Sequence, residues 1–195
     1  MSDRQGYKTI LKATSLFGGV QVFNIIISLV RSKFIALFIG PTGMGISSLL
    51  VATINLVGAL TNLGLDRSGV KEIAANGAPE CQDDQVETLS VLHTLFWLTS
   101  IFGMILLLIS AQWISLWVFE DTAYTNAVRG VAIALFFRQM TQGKLTQLQG
   151  LRRLGGLAKA NLWGNFMALL LTVPLYYFYQ FDAIVPAIII GSLLS

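Results

Sequence analysis

Charge is what this chain has least of. Only 12% of its 195 residues are Asp, Glu, Lys or Arg, against about 25% in ordinary soluble domains, and 54% are hydrophobic. With a mean hydropathy of +0.69, that scarcity excludes a common globular protein. A single cysteine, Cys81, excludes an internal disulfide, and a single histidine, His93, leaves no Cys or His cluster for a structural metal. Neither a metal site nor a cofactor is therefore expected. The net charge of +3 is explained by basic loops and does not imply nucleic acid as a partner. Short alternating strands of the closed-barrel kind are also missing.

What the chain does have is a series of solid apolar runs, each of about twenty residues or more, enough to carry a helix across about 30 Å of hydrocarbon. The fold class is all-α, a polytopic membrane helix bundle. Five complete spans are expected, at about 9–38, 45–74, 86–111, 125–149 and 160–179, and a sixth begins near Ala183. Arg4, Lys8 and Lys12 precede the first run, which is too long for a signal peptide and has no small-x-small cleavage site, so it is a retained span.

The motif "GPTGMG", 40–45, suits a tight reversal between the first two spans. It lacks the Lys-Ser/Thr of a phosphate-binding loop. "NGAPECQDDQ", 76–85, links spans two and three. Trp113 and Trp117 stand one helical turn apart, as interfacial aromatics do. Span four turns polar in its second half, "RQMTQGKLTQLQG", and span five is expected to kink at Pro174. The thirteen residues from Ala183 to Ser195 are too few to cross a bilayer. Residues 1–195 are therefore expected to form a single membrane domain, the amino-terminal portion of a longer transporter.

The flanking positive charges set an orientation. With the amino terminus in the cytoplasm, Arg4, Lys8, Lys12, Lys71, Arg152, Arg153 and Lys159 all fall inside, and the opposite loops hold Glu120, Asp121 and Asp182 with Arg129 nearby.

Within the spans the polar residues are ordered. Thr14, Gln21, Asn24, Ser28 and Arg31 share one face of span one. Ser48, Asn55, Asn62 and Asp66 share a face of span two; Ser90, His93, Trp97 and Ser100 mark span three; Arg138, Gln142 and Gln149 align on span four, and Asn161, Asn165, Thr172 and Tyr176 on span five. Neutral residues of this kind serve equally well as hydrogen bonds between membrane helices. His93 suits a packing or hydrogen-bonding role, with a proton or substrate role as the alternative.

The arginines are harder to explain as glue. A charge at the centre of a bilayer costs about 2.5–3.5 kcal/mol or more, and Asp66 is the single carboxylate well inside a span. Arg31, Arg67 and Arg138 therefore point to a water-filled cavity that receives an anion. Their planar forks bind phosphate oxygens in pairs at any physiological pH. Snorkelling competes for Arg67 and Arg138, and is favoured for Lys33, which projects away from Arg31.

The segment "SLVRSKFIALFIGPTGMGISSLLVATINLVGALTNLGLDRSGVKEIA", 28–74, resembles the opening of Wzx-like polysaccharide and O-antigen translocases. These belong to the superfamily that also holds the lipid II flippase MurJ and the MATE drug exporters. The carrying features are the late arginine of span one, the Ile-Gly-Pro-x-Gly at its end, the Ser-Leu-Leu start of span two and the Asn-Leu-Gly-Leu before a charged run. The loop "GLRRLGGLAKAN", 150–161, is also similar to the family's basic connection between spans four and five.

The resemblance implies a MATE/MurJ-like first lobe of a bundle of about twelve to fourteen helices in two halves around a cavity that opens alternately to each side. It implies a substrate, an undecaprenyl-diphosphate-linked oligosaccharide flipped across the bacterial inner membrane for surface polysaccharide such as lipopolysaccharide O-antigen. Polysaccharide polymerase and chain-length regulator proteins are the implied partners. Arg31, with Arg67 as a second candidate, would pair with the diphosphate, and the neutral stripes with Gln21, Asn24 and Asn62 would contact the sugars; Arg138 and Asp66 complete the expected substrate-binding set.

Two rivals remain. A cation-coupled drug exporter of the MATE type would need a membrane carboxylate for sodium or a proton, and span one contains none, although Asp66 keeps that alternative open. A polyprenyl-phosphate glycosyltransferase would need a metal-binding acid cluster. Glu80, Asp83, Asp84 and Glu87 are the one group available, and acids before a helix have the simpler role of stabilising its amino-terminal end.

Overall fold

A computed structural model describes the backbone over residues 3–75, 82–151 and 154–194, and the side chains over 18–75, 87–151 and 155–194. Among the described residues all regular structure is helical: α1 (Asp3–Asn62), α2 (Leu65–Ala75), α3 (Gln82–Phe119), α4 (Thr125–Gly150), α5 (Leu154–Tyr179) and α6 (Ile184–Leu194). Single 3-10 turns at Thr122–Tyr124 and Gln180–Ala183 lead into α4 and α6. Cys81, and the side chains of Arg4, Lys8, Lys12, Thr14, Glu80, Asp83, Asp84, Arg152 and Arg153, lie outside the described residues.

The helix α1 consists of two arms, 3–39 and 41–62, that meet at Gly40, where φ is 70° and ψ is −176°. That conformation strains any residue with a Cβ. Pro41 then opens the second arm, where its missing N–H is no loss. The reversal expected across 40–45 is thus a corner of one residue, with helix resuming at once.

The second span, expected as continuous over 45–74, is broken. Leu63 (φ 49°) and Gly64 (φ 76°) turn the chain, and the Gly64 carbonyl accepts from the Arg67 and Ser68 N–H groups to start α2. The third span is longer than expected and runs to Phe119, so Trp113 and Trp117 lie on α3 itself. They are 72% and 90% exposed, as an interfacial pair would be. Pro174 lies inside α5, which continues through it to Tyr179.

Pairings between named residues give the direction of each helix. Asn24 bonds to Asn165 and Phe38 packs on Tyr177, so the first arm of α1 runs parallel to α5. Gly58 lies against Leu135 and Thr61 bonds to Gln139, so the second arm runs parallel to α4. Phe96 meets Gly143 and Gly103 lies beside Gln139, which makes α3 antiparallel to α4. Gly130 meets Val185 and Thr141 bonds to Ser192, so α6 follows α4. Thus the second arm of α1 and α6 run with α4, and α3 runs against it.

Among the described residues three stretches are long and apolar enough to cross a membrane: Gly18–Asn62, Glu87–Phe119 and Gly155–Leu194. The α4 helix is not among them, for a reason visible in its packing. It lies at the centre, against α3, α6, α2 and α1, so protein and not lipid covers much of its polar half. Its Val128, Val131, Ala132 and Leu135 join Leu50, Ile54, Leu107 and Ile188 in the buried core.

Small residues let the helices approach, as membrane bundles require when lipid is no less apolar than a leucine side chain. At Gly143 α3 comes close to α4, and an added Cβ would sit 2.7 Å from the ring of Phe96. Phe96 is itself only 2% exposed and has no free space to yield. Gly143→Ala should therefore lose about 1–3 kcal/mol of stability through overpacking. By contrast, Gly45→Ala, at a site with nothing within 4 Å, should lose none. Thermal unfolding of the two purified variants in detergent checks the contrast.

Candidate functional site

Four helices enclose a cavity of about 270 Å³ whose lining includes Arg31 from α1, Arg138, Thr141 and Gln142 from α4, Asn165 from α5, and Gly191 and Ser192 from α6. None of its described lining residues is acidic. Arg31 is half-buried, on the narrow face, with Asn24, Ile27, Ile35 and Phe38, that the first arm of α1 turns to the bundle. It reaches α6 at Gly191, where a Cβ would lie 3.2 Å from its Nη2. Among the described residues neither Arg31 nor Arg138 has a carboxylate partner. Two fixed positive charges thus share one polar space.

The walls are tied together by neutral side chains. Asn165 donates through Nδ2 to Asn24 Oδ1 at 3.1 Å, linking α5 to α1. The Thr141 hydroxyl donates to the Phe137 carbonyl at 3.0 Å and approaches the Ser192 carbonyl at 3.4 Å, linking α4 to α6.

A second cavity, of about 260 Å³, lies between the second arm of α1 and α4 and is lined by Asn55, Asn62, Asp66, Arg138, Gln139 and Gln142 among others. Arg138 and Gln142 line both cavities. Gln21, Asn24, Ser28 and Ser32 line a shallower groove along the first arm of α1.

The residues expected from the sequence are therefore divided. Arg31 and Arg138 come together in the first cavity, and Asn62, Asp66 and Arg138 in the second. Gln21 is exposed in the groove, and Asn24 is held by Asn165. Arg67 is exposed on α2 and lines none of the three, because it projects about 100° around α2 from Asp66. Lys33 is exposed, on the side of α1 away from Arg31.

His93 accepts a hydrogen bond at Nε2 from Trp97 Nε1 at 3.1 Å. This is a pair on the exposed side of α3, whereas Ser100 is buried and bonds back to the Phe96 carbonyl at 2.6 Å. Sequence reasoning missed Thr141, Gln139, Gly191 and Ser192. The Gly-Ser pair in the otherwise apolar α6 was the available signal for the last two.

The fold and cavity define a class: a multi-pass helical membrane protein with a cationic space between its helices. Within that class, a family model described as "Polysaccharide biosynthesis protein" matches residues 10–154, and the chain belongs to that family, that of the Wzx-like polysaccharide translocases. Its members are typically transporters or flippases, and membership points to the handling of polysaccharide or lipid-linked sugar. No curated protein and no solved structure matches the chain.

The Asn24–Asn165 bond links α1 to α5, and bonds of this type couple membrane helices by about 0.6 kcal/mol. A double-mutant cycle of Asn24→Ala and Asn165→Ala should return a coupling of about that size, read by reversible unfolding in mixed micelles.

Proposed function

We propose that this protein is a flippase for a polyprenyl-diphosphate-linked oligosaccharide, and that the cavity holding Arg31 and Arg138 receives the diphosphate. The single observation that carries this reading is the pairing of two guanidinium groups in one space with no acid among its described lining residues. Left in hydrocarbon, each charge would cost about 2.5–3.5 kcal/mol by insertion scales. Water in the cavity removes that cost, and a bound anion compensates the charge.

Arginine supplies forked, permanently charged donors that match phosphate oxygens. The neutral donors and acceptors beside them, Gln142, Asn165 and Ser192, suit sugar hydroxyls. A volume of about 270 Å³ falls just below the common range of about 300–1,000 Å³ for small-molecule sites. It is the size for a lipid headgroup rather than for a whole glycan.

In this reading the chain forms a MATE/MurJ-like lobe of five crossings and the start of a sixth, with the amino terminus cytoplasmic in a bacterial inner membrane. The course of α3 against α4 and the second arm of α1 supports separate crossings for them. Substrate of the undecaprenyl-diphosphate O-antigen or common-antigen type enters on the cytoplasmic side and leaves on the other by alternating access. Polymerase and chain-length regulator proteins act on it afterwards. No bond is made or broken: binding, reorientation and release are the whole mechanism, and Arg31 and Arg138 act by neutralising the diphosphate during passage.

The test is complementation of a strain that lacks its own O-unit flippase, with surface polysaccharide and lipid-linked oligosaccharide retained inside as the two readouts. The gene should restore export. Arg31→Ala should reduce it at least about tenfold, the loss expected when a charge-assisted contact of roughly 1.5–3 kcal/mol is removed, at unchanged membrane levels. Arg31→Lys should recover part, because a point charge replaces a fork. Full export by Arg31→Ala would overturn the assignment.

A further inference from the structure

Anion binding by Arg31 and Arg138 leaves one buried group beside them unexplained. Tyr176 on α5 is among the largest fully buried side chains, with 1% of its surface exposed. A phenylalanine would fill the same space without burying a hydroxyl, which costs stability unless it is hydrogen-bonded. The destination of that hydroxyl is therefore informative. It shares a hydrogen bond with the side chain of Ser47 and lies in the field of the Arg31 guanidinium. Ser47 belongs to the second arm of α1 and Arg31 to the first.

Tyr176 thus meets both arms across the corner at Gly40, and its neighbours do the same with rings. Tyr177 packs edge-on against Phe38, just before the corner, with 5.6 Å between ring centroids. Phe181 lies just beyond it, its Cε1 3.3 Å from where a Cβ of Gly43 would stand. Contact between apolar groups is non-directional, whereas a hydrogen bond weakens steeply as its angle closes. Of these contacts, the Tyr176 hydroxyl is the one that fixes an angle as well as a distance.

The position of this bond matters to the cavity. The first arm of α1, with Arg31, is bonded to α5 through Asn24 and Asn165. The second arm is bonded to α4, which carries Arg138, through Thr61 and Gln139. The Tyr176–Ser47 bond joins the first pair of helices to the second. The fork of Arg31 rests on α6 at Gly191, where a Cβ would lie 3.2, 3.7 and 3.9 Å from Nη2, Nη1 and Cζ. Bare backbone there gives it room and no side chain to hold it.

We propose that Tyr176 is a positioning residue for anion binding, which sets the separation of Arg31 and Arg138 through its hydrogen bond to Ser47. The role rests on the anion reading of the cavity; the tie between the arms stands on the contacts alone.

The experiment uses the full protein purified in detergent, with pyrophosphate as the anion probe. Spin labels on Leu29→Cys and Leu56→Cys, in a Cys81→Ser background, report the distance between the arms; both leucines are exposed. Tyr176→Phe and Ser47→Ala should each broaden the distance distribution and raise the Kd for pyrophosphate by about fivefold, the effect of one hydrogen bond. The double variant should bind no more weakly than either single one, because both remove the same bond. Tyr177→Phe, which deletes a hydroxyl and keeps its ring, should change neither readout. Ser47→Ala decides the matter if Tyr176→Phe does not fold.

An unchanged distance distribution in both variants, a broadened one with unchanged pyrophosphate affinity, or additive losses in the double variant would each overturn the proposal. Broadened distributions together with no pyrophosphate binding by the unsubstituted protein would leave the tie between the arms standing, and would overturn the anion reading and the positioning role with it.

Discussion

A guanidinium keeps its charge at any pH a cell reaches, and a bilayer has nothing to offer it. That constraint organises the bundle. Arg31, well along a helix whose other side chains at 22, 23, 25, 26 and 29 are all apolar and exposed, is turned to the one face that meets α5 and α6. Gly191 and Asn165 make room there for the charge and for water around it. Its charge stands in a hollow, the cavity that Arg138 also lines.

The same constraint explains the unusual composition of α4. Hydropathy measures fitness for lipid, and a helix surrounded by other helices is excused from it. Gly130, Gly143 and Gly150 bring α6, α3 and α2 close to α4. Once packed in, α4 can carry Gln139 and Thr146 buried and Gln142 half-buried, while Arg138 stays exposed at the mouth of the cavities it lines. Both cavities are cut into its sides, and Arg138 and Gln142 form the partition between them.

Much of this was legible in the sequence, because helical spacing and lipid cost are local properties. The all-α class, the interior position of Arg31 and the polar face of α5, with Thr172 and Tyr176 buried, follow from steps of three, four and seven. Asn62 and Asp66 were rightly placed together, although they lie on different helices; α2 starts so soon after the break that a spacing of four still brings them into hydrogen-bonding contact. Arg67, one residue further, projects about 100° away around α2 and lines neither cavity. The backbone turns at Leu63 and Gly64 mark the limit of that inference: they depend on tertiary fit, and no periodicity announces them. Gln139 was missed for another reason: its role comes from a partner 78 residues away, the hydroxyl of Thr61, and pairings at that distance leave no trace in a local pattern.

The corner at Gly40 has a mechanical meaning. Pro41 fixes its own φ, so the angle between the two arms of α1 is governed almost wholly by the two torsions of a single glycine. Arg31 stands nine residues back along the first arm, which at about 1.5 Å per residue is a lever of about 13 Å. By that measure a turn of about 10° at Gly40 displaces the backbone of Arg31 by about 2 Å, while Asn62, at the far end of the other arm, keeps its place beside Asp66. One joint thus sets how far apart the charged walls of the two cavities stand.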